Sequence, residues 1–129
     1  MESLQEALDA IADSSWSVRR AGALELGTNP TDPRAFEALT LLLDDENTAV
    51  IEVAASGLAS GAGVAGLLEI VRAMGRYADG DNAGYHVRDA LAKLDFNGFP
   101  IKERLAEMRD SPELPDQSRP EVDYLIANI

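Results

Sequence analysis

The apolar residues of this chain recur at helical intervals from its first residues onward. Positions i, i+3, i+4, i+7 and i+8 of the first such face are occupied by Leu4, Ala7, Leu8, Ile11 and Ala12. This spacing places the five side chains on one side of a helix. No strand-like alternation of useful length follows along the sequence. The pattern therefore predicts an all-α protein in which helix packs on helix.

Turn residues divide this pattern into successive helices. Residues 13–15 end the first stripe and offer an N-cap for a second helix, which we expect to end with Gly27 in a left-handed cap. Asp32 and Pro33 fit the N-cap and first position of a third helix, and Asn47 fits the N-cap of a fourth. Later stripes predict helices around the apolar residues at 64–74, 87–94, 101–108 and 122–126.

Two segments interrupt the regular alternation of helix and short turn. A longer loop is expected at 79–84, ahead of the sixth helix. The last two helices are separated by three prolines, Pro112, Pro115 and Pro120. We expect Leu125 and Ile126 in the final helix to cover the end of the core rather than to form a dimer contact.

The second helix of each predicted pair carries a related pattern. Val18, Val50 and Val87 recur after 32 and then 37 residues, and a small or β-branched residue follows each of them three places later. Small residues at such positions let neighbouring helices approach closely. Self-similarity at a period of this size is typical of stacked helical repeats.

These residues resemble the short bacterial HEAT-like repeat, in which an acidic turn leads into a Val-Arg helix with small residues and a Leu-Gly end. Residues 13–27 match well, whereas Ile51 replaces the expected Arg in the second repeat and Asp95 replaces the expected Leu in the third. The resemblance implies a right-handed stack of antiparallel helix pairs, a HEAT-like α-solenoid, forming one domain over 1–129. The implied repeats lie at about 2–29, 32–61 and 64–95, with a C-terminal cap at 99–129.

The chain is strongly acidic, with 23 acidic and 11 basic side chains and a net charge of −12. Such a field repels nucleic acid and anionic membranes, since both are bound through basic surfaces. It attracts a basic partner and speeds its arrival. The excess is largest in residues 1–46, which hold ten acids and three bases, a net −7. An acidic surface that serves solubility alone is the competing explanation.

Other features of the composition narrow the class of protein. The 129 residues fit a single domain, and the chain contains no cysteine, so a disulfide framework and a thiolate metal site are excluded. The first residues show no signal-peptide pattern, and no apolar stretch is long enough to span a membrane. We therefore expect a cytoplasmic protein that is a monomer on its own.

The turns that precede the second helices combine aromatic and acidic residues. Trp16, Thr48 and Tyr85 each stand two residues ahead of the shared Val. The acids of the same row of turns are Asp13, Asp44, Asp45, Glu46, Asp79 and Asp81. Stacked repeats would place this row along one edge, with the composition of a binding surface for a basic protein. The alternatives are that Trp16 folds back to close the core and that the acids form a solvated rim.

Two arginines occupy the position at which the resemblance implies a structural role. Arg19 and Arg88 would bond turn carboxylates of neighbouring repeats, with Asp45 as the expected partner of Arg19. His86 is the only histidine and cannot build a usual zinc site without cysteine. The Asp79-Gly80-Asp81-Asn82 stretch is similar to a calcium loop but lacks its glycine position and its closing Glu. We predict no metal and no cofactor.

No catalytic motif is present, so the sequence favours a non-catalytic protein-binding module. Its most specific form is an immunity protein or antitoxin that neutralises a basic toxin. A general adaptor or assembly subunit is the alternative. A bilin-lyase-like enzyme or small-ligand binder is the further alternative, because HEAT-like repeats occur in bilin lyases. They also occur in DNA alkylation-repair glycosylases, but the net charge disfavours that activity.

Overall fold

The computed structural model describes residues 4–77 and 82–129. Within these ranges the chain forms eight α-helices and one 3₁₀ turn, Asp116–Ser118, and no strand. The helices are α1 Leu4–Ala10, α2 Trp16–Leu26, α3 Pro33–Leu42, α4 Thr48–Gly61, α5 Gly63–Arg76, α6 Asn82–Phe96, α7 Ile101–Arg109 and α8 Arg119–Asn128. The all-α prediction is confirmed for the described part of the chain.

Two predicted helix starts are confirmed in their capping geometry. The Asp32 side chain accepts a hydrogen bond from the backbone N–H of Arg34, with Pro33 as the first residue of α3. The Asn47 side chain likewise accepts from the backbone N–H of Ala49 at 2.9 Å and caps α4. Each cap satisfies a backbone donor that has no partner inside the helix.

Gly27 does not adopt the predicted left-handed cap. Its φ of −66° is right-handed and helical. The glycine serves a close helix approach instead, because a Cβ built on Gly57 of α4 would lie 3.1 Å from the Gly27 Cα atom. Two glycines facing each other therefore let α2 and α4 come together, and no turn conformation requires either of them.

The predicted boundaries of α6 and α8 are also wrong. Helix α6 begins at Asn82, so residues 82–84 are helical and the loop does not extend to Gly84 as predicted; Tyr85 and His86 lie within the first turns of the helix. Helix α8 begins at Arg119 and contains Pro120 in its first turn. Proline is tolerated there because the first backbone N–H groups of a helix have no intrahelical acceptor.

Helix α4 is the centre of the packing. It contacts α2, α3, α5 and α6, and the core residues on its inner side include the fully buried Val50, Ala54 and Leu58. Helix α1 packs on α2 and α3 on α4, as expected of helix pairs. Helix α5 differs, because it packs mainly against α4 rather than against α6. A tight corner at Gly63, whose φ is +59°, turns the chain from α4 directly into α5.

The C-terminal helices cover one end of this core. Helices α7 and α8 pack on each other and also contact α5 and α6. Leu105 and Leu125 are fully buried, and Ile126 is half-buried against the same core. The apolar residues of the last helix are thus used inside the chain, as the sequence pattern predicted for this segment.

Candidate functional site

Arg19 links the turn between α1 and α2 to the turn between α3 and α4. Its Nε atom donates to Oδ2 of Asp45 at 2.9 Å and its Nη2 atom to Oδ1 at 3.1 Å, a bidentate pair. Its Nη1 atom donates to the carbonyl oxygens of Asp13 and Ser14. The hydrogen bond to Asp45 raises the pKa of Arg19 and outweighs the lowering caused by burial. The predicted Arg19–Asp45 contact is therefore present, and it joins the turn before α2 to the turn before α4.

The next contacts extend this line to α5. Arg76 donates to Asp44 at 2.9 Å, and the Tyr77 hydroxyl donates to the backbone carbonyl of Leu43 at 2.7 Å. A shallow pocket between the α3–α4 turn and the start of α6 includes Thr48 and Ala83. These contacts join the turn before α2, the turn before α4 and the end of α5, and the pocket brings the start of α6 beside the turn before α4. We call residues 13–16, 44–48, 76–77 and 82–85 the turn edge.

The three acids of the central turn have different surroundings. Asp45 is nearly buried and also accepts from the backbone N–H of Asn47, so its carboxylate is fully used within the protein. Asp44 is half-exposed and shares its charge with Arg76. Glu46 is 89% exposed, and among the described residues its one ion pair is with Arg19, at 3.8 Å. Of the three carboxylates, Glu46 is the most available to a partner.

Replacing Asp45 by Ala tests the structural part of this arrangement. The change removes the acceptor for two bonds from Arg19 and one from Asn47, and it leaves a nearly buried guanidinium without its carboxylate. We expect the melting temperature to fall by about 5 °C or more in a circular-dichroism melt. Glu46→Ala is the matched control and should shift it by less than about 2 °C. Equal melting temperatures for the two variants would contradict the assigned role.

Trp16 and Tyr85 both present about half of their surface to solvent. Trp16 is the first residue of α2 and is 49% exposed, and Tyr85 in the first turn of α6 is 53% exposed. Trp16 is not among the described core residues or the half-buried residues packed against them, which favours an exposed ring over the alternative in which it closes the core end. Thr48, the equivalent residue of α4, is half-buried.

The other predicted residues of the turn edge contribute less. Asp13 is exposed, and its Oδ1 atom accepts from the backbone N–H of Ser15 at 2.8 Å, which orders the turn before α2. Asp79 and Asp81 lie outside the described residues. The calcium-like stretch that they begin lies there also, except for Asn82.

Arg88 does not repeat the role of Arg19. It donates to Asp89 on its own helix at 3.1 Å, and its guanidinium lies 5.1 Å from the centre of the Tyr85 ring. Hydrogen bonding to Asp89 raises the pKa of Arg88, with a smaller contribution from Tyr124. Its neighbours thus lie on α6 and α8. Its assignment to a ladder of turn carboxylates is not supported among the described residues.

Two further features were not foreseen from the sequence. A groove of about 410 Å³ runs between α2 and α4, lined in part by Arg20, Leu24, Glu52 and Ser56. Beside it, Glu52 receives hydrogen bonds from His86 and Lys93 of α6, each at 3.2 Å. The one signal of this groove in the sequence is Leu24, an apolar residue next to the core positions of α2. In the structure it is 48% exposed. The Glu52 contacts join residues 34 and 41 positions apart, which spacing alone does not reveal.

The Glu52 contacts predict that the free energy of unfolding decreases slightly as the pH is lowered. Burial raises the pKa of Glu52, but the hydrogen bonds from His86 and Lys93 outweigh it, so the folded-state pKa lies below the ordinary 4.5. A carboxylate whose pKa is lowered by folding stabilises the folded state at pH values above its pKa in the unfolded chain. This stabilisation is lost as the pH falls through its pKa in the folded state. We expect Glu52→Gln to be less stable than the natural chain by under about 1 kcal/mol at pH 6 and equal to it near pH 3.

Urea denaturation at both pH values measures this difference. Glu37→Gln is the control, because Glu37 is exposed on α3 and forms no ion pair with a described residue. A gap between the natural chain and Glu52→Gln that persists unchanged at pH 3 would refute the assignment of the lowered pKa to these contacts.

Comparison with known proteins does not place the chain in a family. No family model matches the sequence, and no curated protein matches it significantly. In the described part of the chain, no group of three or more His, Asp or Glu side chains is arranged to hold a metal ion. None of the described helices combines the length and apolar character that crossing a membrane needs.

The turn edge has the chemistry of a contact surface. Exposed Trp and Tyr rings supply large apolar area at low conformational cost, and a solvent-facing Glu46 supplies charge. The Arg19–Asp45 pair and the Arg76–Asp44 pair hold the backbone of the acidic turn in place. A surface that is already ordered loses less entropy when a partner binds.

Proposed function

We propose that this protein is a non-catalytic, stoichiometric binding protein, most specifically an immunity protein or antitoxin that neutralises a basic toxin. The observation that carries the proposal is the turn edge, where half-exposed Trp16 and Tyr85 accompany the solvent-facing Glu46 on an ordered acidic turn. Aromatic residues dominate binding energy at protein interfaces, and complementary charge speeds encounter. Such a protein would act in the cytoplasm, alongside the toxin's target.

The proposal includes a HEAT-like stack for α1–α6. The contacts of α4 with α2 on one side and α6 on the other support it, as do the successive contacts of α1, α3, α5 and α7. The Gly27–Gly57 approach supports close stacking of α2 on α4. In this arrangement the turns before the second helices fall along one edge, which is where a binding surface would lie.

The net charge of −12 fits a basic partner. Several acids are compensated inside the chain, so the proposed attraction depends on those that are not. Asp13 and Glu46 at the turn edge are exposed, Glu46 with a 3.8 Å contact to Arg19, and both belong to residues 1–46, which hold the excess of acids. Added salt would weaken an attraction of this kind because it screens exposed charges.

Affinity purification from the source cell, washed at low and at moderate salt, tests the proposed function. We expect a basic protein in one-to-one amount that is released by salt. Expressed alone, that protein should arrest growth, and co-expression of this chain should restore growth. If no partner is recovered, or the recovered partner binds equally well at high salt and is acidic, the proposal is wrong.

The general adaptor or assembly subunit is the alternative within the same class. It also predicts a protein partner, but one that is harmless when expressed alone. The growth assay therefore separates the two forms, because neutralisation is meaningful only if the free partner is toxic.

The further alternative, a small-ligand binder or bilin-lyase-like enzyme, draws on the groove between α2 and α4. Its volume of about 410 Å³ lies within the range of small-molecule sites. Its lining combines apolar Leu24 and Val53 with charged Arg20 and Glu52. An absorbance spectrum of the purified protein that shows a bound chromophore would favour this alternative.

A further inference from the structure

A second surface lies between α5 and the end of α7, and it shares no residue with the turn edge. A groove of about 250 Å³ opens there, lined by Val64, Leu68, Met108 and Leu114 together with Ser111, Glu107 and Glu113. Val64 at its rim is 50% exposed, whereas Met108 and Leu114 are nearly buried and form its floor. The volume is below the range usual for small-molecule sites and suits one or two bulky apolar side chains.

A row of acids borders this groove. Glu103, Glu107 and Asp110 stand at i, i+4 and i+7 along the exposed face of α7 and its end, and Glu113 follows in the next turn. Residues at this spacing lie on one side of a helix. Glu103, Glu107 and Asp110 therefore lie along one side of α7, and Glu113 follows in the turn after it; we call these four carboxylates the stripe, of which Glu107 and Glu113 also line the groove.

The negative charge of this stripe is not compensated by the described residues. None of the four acids forms an ion pair there. Two nearby bases are engaged elsewhere, since Arg72 of α5 bonds Glu69 at 2.6 Å and Arg109 of α7 pairs with Asp123 of α8 at 3.5 Å. Lys102 and Arg104 also lie on α7, but neither forms an ion pair with the acids of the stripe in the described part of the chain. Like charges that stand one turn apart on a helix destabilise it slightly, so the stripe does not add to the stability of α7.

We propose that the α5–α7 groove is a docking site for a cationic amphipathic helix of a partner protein. The apolar side chains of that helix enter the groove over Met108 and Leu114, while its Lys or Arg residues face the stripe along α7. Charge complementarity selects this occupant, since an acidic or neutral helix would leave the four carboxylates without a counter-charge. The flexible Met108 side chain at the floor lets the groove adjust to different apolar residues.

Fluorescence anisotropy with a labelled amphipathic peptide, Leu along one face and Lys along the other, tests this site. We expect saturable binding at low salt that weakens as salt is added. Glu107→Gln/Glu113→Gln should bind about tenfold more weakly, because two solvent-exposed charge pairs are lost. Val64→Ser should also weaken binding, and a control peptide with Ser in place of Leu should not bind saturably.

The matched control is Glu25→Gln/Glu37→Gln, which removes the same net charge from α2 and α3 and should leave peptide affinity within about twofold. Trp16→Ala/Tyr85→Ala should also leave it unchanged, so the result is independent of the proposed toxin-binding edge. If both double Gln variants lost the same peptide affinity, the effect would come from the overall charge of the protein, and the proposal would be overturned. Absence of saturable binding, or its loss in the Trp16→Ala/Tyr85→Ala variant, would overturn it as well.

Discussion

Gly66→Ala is expected to destabilise the fold by about 3 kcal/mol, the upper part of the range for overpacking a well-filled interior. Gly66 lies in the first turn of α5, where that helix crosses α4. A Cβ at this position would overlap the backbone carbonyl oxygen of Leu58 and would stand 2.8 Å from its carbonyl carbon. The obstacle is backbone and cannot rotate away, so α4 and α5 would have to separate. Urea denaturation of the two chains measures the loss.

Gly84→Ala provides the matched control for this prediction. Gly84 is also helical, in α6, but a Cβ there would meet only the end of the Met74 side chain at 3.8 Å, an ordinary contact. We expect this change to be neutral or to stabilise by about 0.5–1 kcal/mol, because Ala favours the helix and restricts the unfolded chain. If Gly66→Ala behaved like Gly84→Ala, the close crossing of α4 and α5 would be refuted.

If the proposed basic partner binds at the turn edge, Trp16→Ala/Tyr85→Ala is expected to weaken its binding by about 4 kcal/mol, close to a thousandfold in Kd. Each ring is half-exposed in the free protein and would be covered in the complex. Truncating an aromatic anchor of an interface costs about 2 kcal/mol or more, and distant anchors add. Calorimetric titration with the purified partner measures the change, and the single variants report whether the two contributions are additive.

Phe96→Ala is the control for the double variant. Phe96 is the most exposed aromatic residue among those described, at 91%, and stands at the opposite end of α6 from the turn edge. The Phe96→Ala substitution removes a similar ring outside the proposed binding surface and should leave Kd unchanged. Melting temperatures of all variants should stay near that of the natural chain. Loss of binding in Phe96→Ala but not in Trp16→Ala/Tyr85→Ala would move the interface away from the turn edge.

Much of the local structure could be predicted because its causes are local. The apolar stripe at residues 4–12 and the caps at Asp32 and Asn47 depend on neighbours within one or two turns. The Arg19–Asp45 pair is a longer-range contact, and it could be foreseen only because the repeat resemblance relates one turn to the next. The equivalent contact of Arg88 with a turn carboxylate stays a prediction, because Arg88 donates to Asp89 on its own helix and the turn with Asp79 and Asp81 lies outside the described residues.

The candidate surfaces could likewise be predicted only in part. Trp16, Tyr85 and the turn acids could be selected from the sequence, since aromatic and charged residues in turns are visible as such. Whether each acid is free to contact a partner could not be predicted, because it depends on which arginine reaches which carboxylate. Asp45 is paired with Arg19 and nearly buried, whereas Glu46 is exposed to solvent. The acids at 103, 107 and 110 are also visible as a helical stripe, but the groove beside them requires Val64 from another helix.

The sequence by itself determined the all-α class, several helix ends and the acidic character of the protein, because hydrophobic spacing, capping residues and charge act over a few residues or over the whole chain. The tertiary structure decided that Gly27, Gly57 and Gly66 serve helix crossings rather than turns, and that α5 packs on α4. Those outcomes depend on differences of a few tenths of an ångström in the distance between backbone segments that are far apart in sequence. Close packing decides such distances, and no periodicity along the chain records them.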